Sequence, residues 1–171
     1  RDLFFGLECL PTFVRKMRLR FAARRVIKLL SPTLKEGDEK TFGLVMEALT
    51  PLGSGFDSPC LERLEFLGDA LMKLFTSRKL YSEFPYNEGR LTELRSAVVG
   101  NYRLSQVFLL GPLCGAVDPR EVRDWKQQEG LVLISMKGAA DVIEAMLGAV
   151  YMSCNGNLDQ VITAAHQMGL F

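Results

Sequence analysis

Leu61-Glu62-Arg63-Leu64-Glu65-Phe66-Leu67-Gly68-Asp69-Ala70-Leu71 is the stretch on which the fold turns. Leu64, Leu67, Leu71 and Leu74 recur in three- and four-residue steps, the period of a helix with one apolar side. At about 100° per residue, with Glu62 as zero, Asp69 falls near −20° and Glu65 near −60°, so three carboxylates share one stripe. The four leucines gather between about 120° and 200°, on the opposite side. Gly68 flanks Glu65 without a side chain, which allows a second backbone to come close. Acids in one row repel by a few tenths of a kcal/mol per pair on a solvated helix. The nearest bases, Arg63 and Lys73, are expected to point elsewhere, so the row makes sense if cations fill it.

A second acidic pair sits in Asp141-Val142-Ile143-Glu144. Its i, i+3 spacing puts both carboxylates on one helix face. Ala145 and Gly148 lie beside them, and Ile143, Met146, Leu147 and Val150 form the apolar side. If the two helices pack, Glu65, Asp69, Asp141 and Glu144 can meet. Oxygen ligands without His or Cys select hard divalent ions, Mg²⁺ or Mn²⁺. Taken singly, each acidic motif is ordinary on a solvated helix; the combination with glycine and apolar positions is not.

The rest of the chain supports a helical domain. It has 171 residues, 48% apolar and 24% charged, with a net charge of +1. That is enough apolar material for one core, and too much for disorder. No run approaches the roughly 18 uncharged apolar residues of a membrane span. There is no signal peptide, and the missing initial Met points to a piece of something longer. Cys9, Cys60, Cys114 and Cys154 are far apart and form no zinc motif, so they are expected to be small buried hydrophobes in a reducing compartment. The only histidine, His166, lies near the C-terminus and accompanies no nucleophile motif. Any chemistry should rest on carboxylates.

Helices are expected over 12–30, opened by Pro11 with an apolar row at Leu10, Val14, Met17 and Phe21, then over 42–49, 60–82 with Ser58 as cap, 89–110, 137–153 and 158–168. A short helix is expected near 120–128, and 131–134 reads as either a strand or a helix edge. The architecture is all-α and bundle-like.

Three segments in order carry a resemblance. Glu62-Arg63-Leu64-Glu65-Phe66-Leu67-Gly68-Asp69 resembles the ribonuclease III signature over its full length. Asn87-Glu88-Gly89-Arg90-Leu91-Thr92-Glu93-Leu94-Arg95 and the stretch from Lys137 to Tyr151 resemble the family's second and third segments. Leu10-Pro11, the basic helix after it and Met46-Glu47-Ala48-Leu49-Thr50 look like the lead-in to the first ribonuclease III domain of a Dicer. The departures are Leu61, where a polar or aromatic residue is common, and Ser153-Cys154-Asn155-Gly156 in place of an acidic-glycine ending.

The resemblance implies a ribonuclease III-type helical endonuclease domain over 41–171, with 1–40 as a basic lead-in packed on it. It implies hydrolysis of double-stranded RNA to 5′-phosphate and 3′-hydroxyl ends, within small-RNA processing by a Dicer. Glu65, Asp69, Asp141 and Glu144 match the family's metal-binding catalytic quartet, which implies two Mg²⁺ or Mn²⁺ ions per site. Glu62 and Glu88 match accessory acids near the site or the dimer interface, and Lys137 matches a basic residue that contacts phosphate. The partners implied are double-stranded RNA and a second ribonuclease III domain, in the same chain or as a homodimer, with no membrane. The surface for that second domain is expected on the signature helix, at Phe66, Met72 or nearby apolar residues. The implied location is intracellular, cytoplasmic or nuclear. The basic helix with Arg15, Lys16, Arg18, Arg20, Arg24, Arg25 and Lys28 reads either as an RNA-facing surface or as a solvated face. Two other readings stay open: an all-α nucleoside triphosphate pyrophosphohydrolase, whose acid pairs sit closer together than the roughly 75 residues here, and a silent scaffold domain, which usually lacks one of the acids.

Overall fold

The structure, a computed structural model, describes residues 2–50, 59–117, 126–128, 131–133 and 135–171. Among them the elements are α1 (Asp2–Leu29), α2 (Glu39–Leu49), α3 (Glu62–Glu83), α4 (Glu88–Val99), α5 (Asn101–Leu110), α6 (Pro112–Ala116), β1 (Lys126–Gln128), β2 (Leu131–Leu133), α7 (Met136–Ser153) and α8 (Leu158–Gln167). The domain is all-α, as the periodicity required. β1 and β2 add one small antiparallel ribbon, with Gln127 opposite Val132. No helix is long and apolar enough to cross a membrane among the described residues.

Helix α7 is the axis of the domain. It is buried from Gly138 to Val150 without a break. A helix that is apolar all round has to lie inside, and α2, α3, α5 and α8 surround it. Ser135 caps it, its hydroxyl accepting from the Gly138 N–H at 2.9 Å. Asn155 (φ 51°) and Gly156 (φ 82°) end it in the left-handed region, with the Gly156 N–H donating to the Tyr151 carbonyl at 2.9 Å. Asp38 caps α2 by accepting from the Thr41 N–H at 2.9 Å.

Several sequence expectations are corrected here. Helix α1 continues through Pro11 rather than starting there. Its expected apolar row faces outward: Leu10, Val14 and Phe21 are exposed. The row that enters the core is Leu19, Ala22, Ala23, Val26, Ile27 and Leu30, because two alanines let α1 close tightly on its neighbours. The helix expected over 89–110 is two helices. Gly100 is extended (φ −69°, ψ 147°), both ending α4 and starting α5. Glycine has too little helical preference to bridge that corner. Residues 126–128, expected at the end of a short helix, form a strand, and 131–133 settle as its partner. The remainder of that short helix, residues 120–125, and the Ser58 cap lie outside the described residues, while Cys60, Cys114 and Cys154, expected to be buried, are only half-buried. Leu61 starts α3 with no side-chain cap; Glu62 and Glu65 in the first turn favour the positive end of the helix dipole instead.

Candidate active site

The site is made by the crossing of α3 and α7. A Cβ built on Gly68 would lie 1.7 Å from the Glu144 carbonyl oxygen, and one on Gly148 would lie 2.3 Å from the Leu64 carbonyl oxygen. The two glycines are therefore reciprocal: each lies against the other helix's backbone, where no other residue fits. This contact sets the acid row of α3 beside Asp141 and Glu144, which come from the middle of the buried helix.

Carboxylate oxygens of Glu65, Asp141 and Glu144 lie within 4.8 Å of one another. Asp69 is not in this tight group. It pairs instead with Lys73 Nζ at 2.6 Å, while remaining close enough to act on Glu144. That corrects the expectation that Lys73 points away: Asp69 and Lys73 are four residues apart, a spacing at which side chains on a helix meet. The apolar side of α3 is corrected as well. Leu64 and Leu71 are buried, but Leu74 is exposed and Leu67 is half-buried. The core side is centred on Gly68, with Met72 and Phe75 completing it.

Burial decides the electrostatics. Asp141 is 6% exposed and Glu144 is 8% exposed. Burial, and then the negative charges of Asp69, Asp141 and Glu65, push the Glu144 carboxyl up to about 7. Burial and the Asp141 charge also raise Glu65, partly offset by Lys137. Lys137 Nζ lies 2.9 Å from both Asp141 carboxylate oxygens and 3.5 Å from Glu65 Oε1. Its ammonium is held above the usual lysine range, chiefly by the hydrogen bond to Asp141.

The accessory acids stand apart. Glu62 is exposed beside the row, with Cys60 Sγ 3.8 Å from its Oε2. Glu88 opens α4 and lines a groove with Leu74, Tyr81, Tyr86 and Leu91, away from the four acids. Of the residues named for a partner surface, Phe66 is 79% exposed while Met72 is core. His166 is exposed, its ring edge-on to Phe171. Lys73 is the residue near the acids that the sequence reading missed, and the i, i+4 spacing was the signal for it.

The donor set fits a hard divalent cation. It is oxygen-only, anionic and partly desolvated. Two oxygens on opposite sides of one Mg²⁺ stand about 4.2 Å apart, close to the spread of the three carboxylates.

An all-α domain with a carboxylate pocket at a glycine-on-glycine helix crossing is the class that fold and site define. A sequence model of the Ribonuclease III domain matches residues 62–155. Ribonuclease 3 of Syntrophobacter fumaroxidans is 35% identical over 135 residues, 74% of this chain and 51% of that one. The double-strand-specific pac1 ribonuclease of Schizosaccharomyces pombe is 38% identical over 92 residues, 53% of this chain and 24% of that one. Endoribonuclease Dicer homolog 3 of Arabidopsis thaliana is 31% identical over 134 residues, 69% of this chain and 8% of that one. A solved structure of the nuclease domain of ribonuclease III from Campylobacter jejuni shares the fold, with a TM-score of 0.60 at 24% identity over 82% of this chain and 94% of that one. The chain belongs to the ribonuclease III domain family. It spans between a third and about half of the length of the bacterial ribonuclease 3 relatives it matches.

Proposed function

We propose that this chain is the catalytic domain of a divalent-metal-dependent endoribonuclease that cuts double-stranded RNA to 5′-phosphate and 3′-hydroxyl ends. One observation carries the reading. Glu65 and the Asp141–Glu144 pair, some 75 residues apart in sequence, converge within 4.8 Å at the positions that match the family quartet.

In this reading Glu65, Asp69, Asp141 and Glu144 hold two Mg²⁺ or Mn²⁺ ions. When bound, such ions supply hydroxide near neutral pH and stabilise charge on the attacking and leaving oxygens. The chain's own part is positioning. The glycine crossing fixes the carboxylates, and burial on α7 keeps Asp141 and Glu144 from drifting into solvent. Lys137 stands at the exposed rim, where a scissile phosphate arrives. Glu62 and Glu88 are accessory, acting on the rim and on the partner face in turn.

One pocket cuts one strand, so the reading needs a second ribonuclease III domain. The exposed apolar side of α3, with Phe66, Leu74 and Tyr81, suits that partner. Residues 41–171 form the catalytic domain and 1–40 its lead-in. The lead-in's likeness to Dicers, and the similarity to a plant Dicer homolog, support a place in small-RNA processing. That work is intracellular, in cytoplasm or nucleus.

The test is cleavage of a perfect RNA duplex with Mg²⁺, with Mn²⁺ and with chelator. Cuts that need the metal and carry a 5′-phosphate are expected, and Asp69→Ala or Glu144→Ala should abolish them while duplex binding stays nearly intact. An intact duplex alongside pyrophosphate release from a nucleoside triphosphate would refute the reading. So would metal-dependent cleavage that survives in both variants.

A further inference from the structure

Two lysines sit on the acid pocket, and local helix physics explains only one of them. Lys73 follows Asp69 by four residues, the favourable order for an acid–base pair on a helix. Lys137 precedes Asp141 by four, the less favourable order, and is the second residue of α7, where the helix dipole disfavours a cation. What holds Lys137 in place is tertiary. Its ammonium donates to both oxygens of buried Asp141 at 2.9 Å and reaches across to Glu65 on α3 at 3.5 Å.

The two side chains come from the solvent side. They are 64% exposed at Lys137 and 54% at Lys73, against 8% for the Asp141 carboxylate. Together they touch three of the four acids. Glu144, buried beside Asp141, makes no ion pair among the described residues. A divalent ion that binds an Asp141 oxygen competes with Lys137 for it, and one that binds Asp69 Oδ2 competes with Lys73.

We propose that Lys73 and Lys137 are tethered counter-ions of this pocket, holding its carboxylates together and yielding those oxygens to an entering divalent ion, so that they set the metal concentration at which the site fills. The inference rests on the metal reading above and adds a positioning role for two lysines. Their long exposed stems can swing outward without disturbing either helix. Lys137 so released stays at the rim, available to a phosphate.

The experiment is titration calorimetry of Mn²⁺ into the chain and its Lys73→Met, Lys137→Met and Lys137→Arg variants, paired with thermal melts in chelator. Lys79→Met is the control. It removes the same charge from α3, but the Lys79 ammonium lies over the Phe171 ring instead of an acid. Lys137→Met should bind Mn²⁺ about five-fold tighter and Lys73→Met roughly two- to three-fold tighter, the scale of solvent-screened ion pairs. Both should melt lower than wild type in chelator. Lys137→Arg and Lys79→Met should stay within about two-fold of wild type, since the first keeps the pair and the second never had one. Unchanged or weaker Mn²⁺ binding in the two acid-paired variants, with normal wild-type uptake, would overturn this inference alone. An equal gain in Lys79→Met would also overturn it, by reducing the effect to net charge. A wild type that takes up no Mn²⁺ would overturn the metal reading and this inference with it. Should Lys137→Met not fold, Lys73→Met carries the same test from an exposed position.

Discussion

Gly68→Ala should destabilise the domain and misplace its acids, although glycine to alanine inside a helix ordinarily stabilises by about 0.5–1 kcal/mol. The sign reverses because the added carbon would sit 1.7 Å from the Glu144 carbonyl oxygen. Carbon and carbonyl oxygen normally approach no closer than about 3.3 Å, so α3 and α7 must part by roughly 1.5 Å at the crossing. The obstacle is backbone on both sides, with no side chain to rotate away. Overpacking costs about 1–3 kcal/mol, occasionally more, and this contact belongs at the upper end, so the net loss should be about 2–3 kcal/mol. For a domain of this size that lowers Tm by roughly 5–10 °C. The same separation carries Glu144 and Asp141 away from Glu65. A 1 Å misplacement of catalytic groups can cost about 10²-fold in rate, so duplex cleavage should fall by at least that factor. Chemical denaturation, Mn²⁺ calorimetry and single-turnover cleavage read the three effects. Gly148→Ala, whose Cβ meets the Leu64 carbonyl oxygen at 2.3 Å, should do less. Gly43→Ala in α2 has nothing within 4 Å and should stabilise. If Gly68→Ala proved as stable as wild type with unchanged Mn²⁺ affinity, the glycine crossing would not be what positions the acids.

Further predictions concern charge, metal and partner. Because the Glu144 carboxyl is raised to about 7 in the fold, against 4.5 for the free group, the fold favours its neutral form. In chelator, the stability that Glu144 contributes is therefore fully present below pH 4.5 and is lost as pH rises through about 7, a decline of about 1–2 kcal/mol after allowing for partial solvation. Glu144→Gln should flatten most of that decline in urea titrations from pH 5 to 8.5, while losing cleavage; an unchanged slope would mean that other groups set it. Mn²⁺ at about 100 times its Kd should stabilise wild type by about 2.7 kcal/mol. Asp141→Asn should lose most of this gain in thermal melts, and a full gain in that variant would exclude Asp141 as a ligand. Phe66→Asp should weaken any self-association of the chain seen by sedimentation, since the side chain is exposed on the face assigned to the second domain. Unaltered association would move the partner surface elsewhere.

Sequence reasoning was strong where the physics is local. The periods of α2, α7 and α8 and the small residues at the helix contact follow from spacing and backbone preference. It was weaker where a helix has two apolar sides. On α1 and α3, spacing alone could not tell the core row, Leu19 to Ile27 and Leu64 to Phe75, from outward rows such as Leu10 to Phe21 or Phe66 and Leu74. Both rows have the same period, and only contact with a neighbour distinguishes them. The break at Gly100 and the Lys126–Leu133 ribbon escaped for a similar reason, because short elements take their form from what they pack on.

By itself, then, the order of residues determined that acids would lie in rows on two helices and that glycine would let those helices touch, because both are properties of one helix at a time. Tertiary structure alone decided that Gly68 meets the Glu144 backbone while Gly148 meets that of Leu64, that Asp69 stands slightly apart from the other three acids, and that Lys137 bridges Asp141 and Glu65. Those facts depend on the depth and angle at which α3 crosses α7, which packing fixes to within an ångström and no spacing rule encodes.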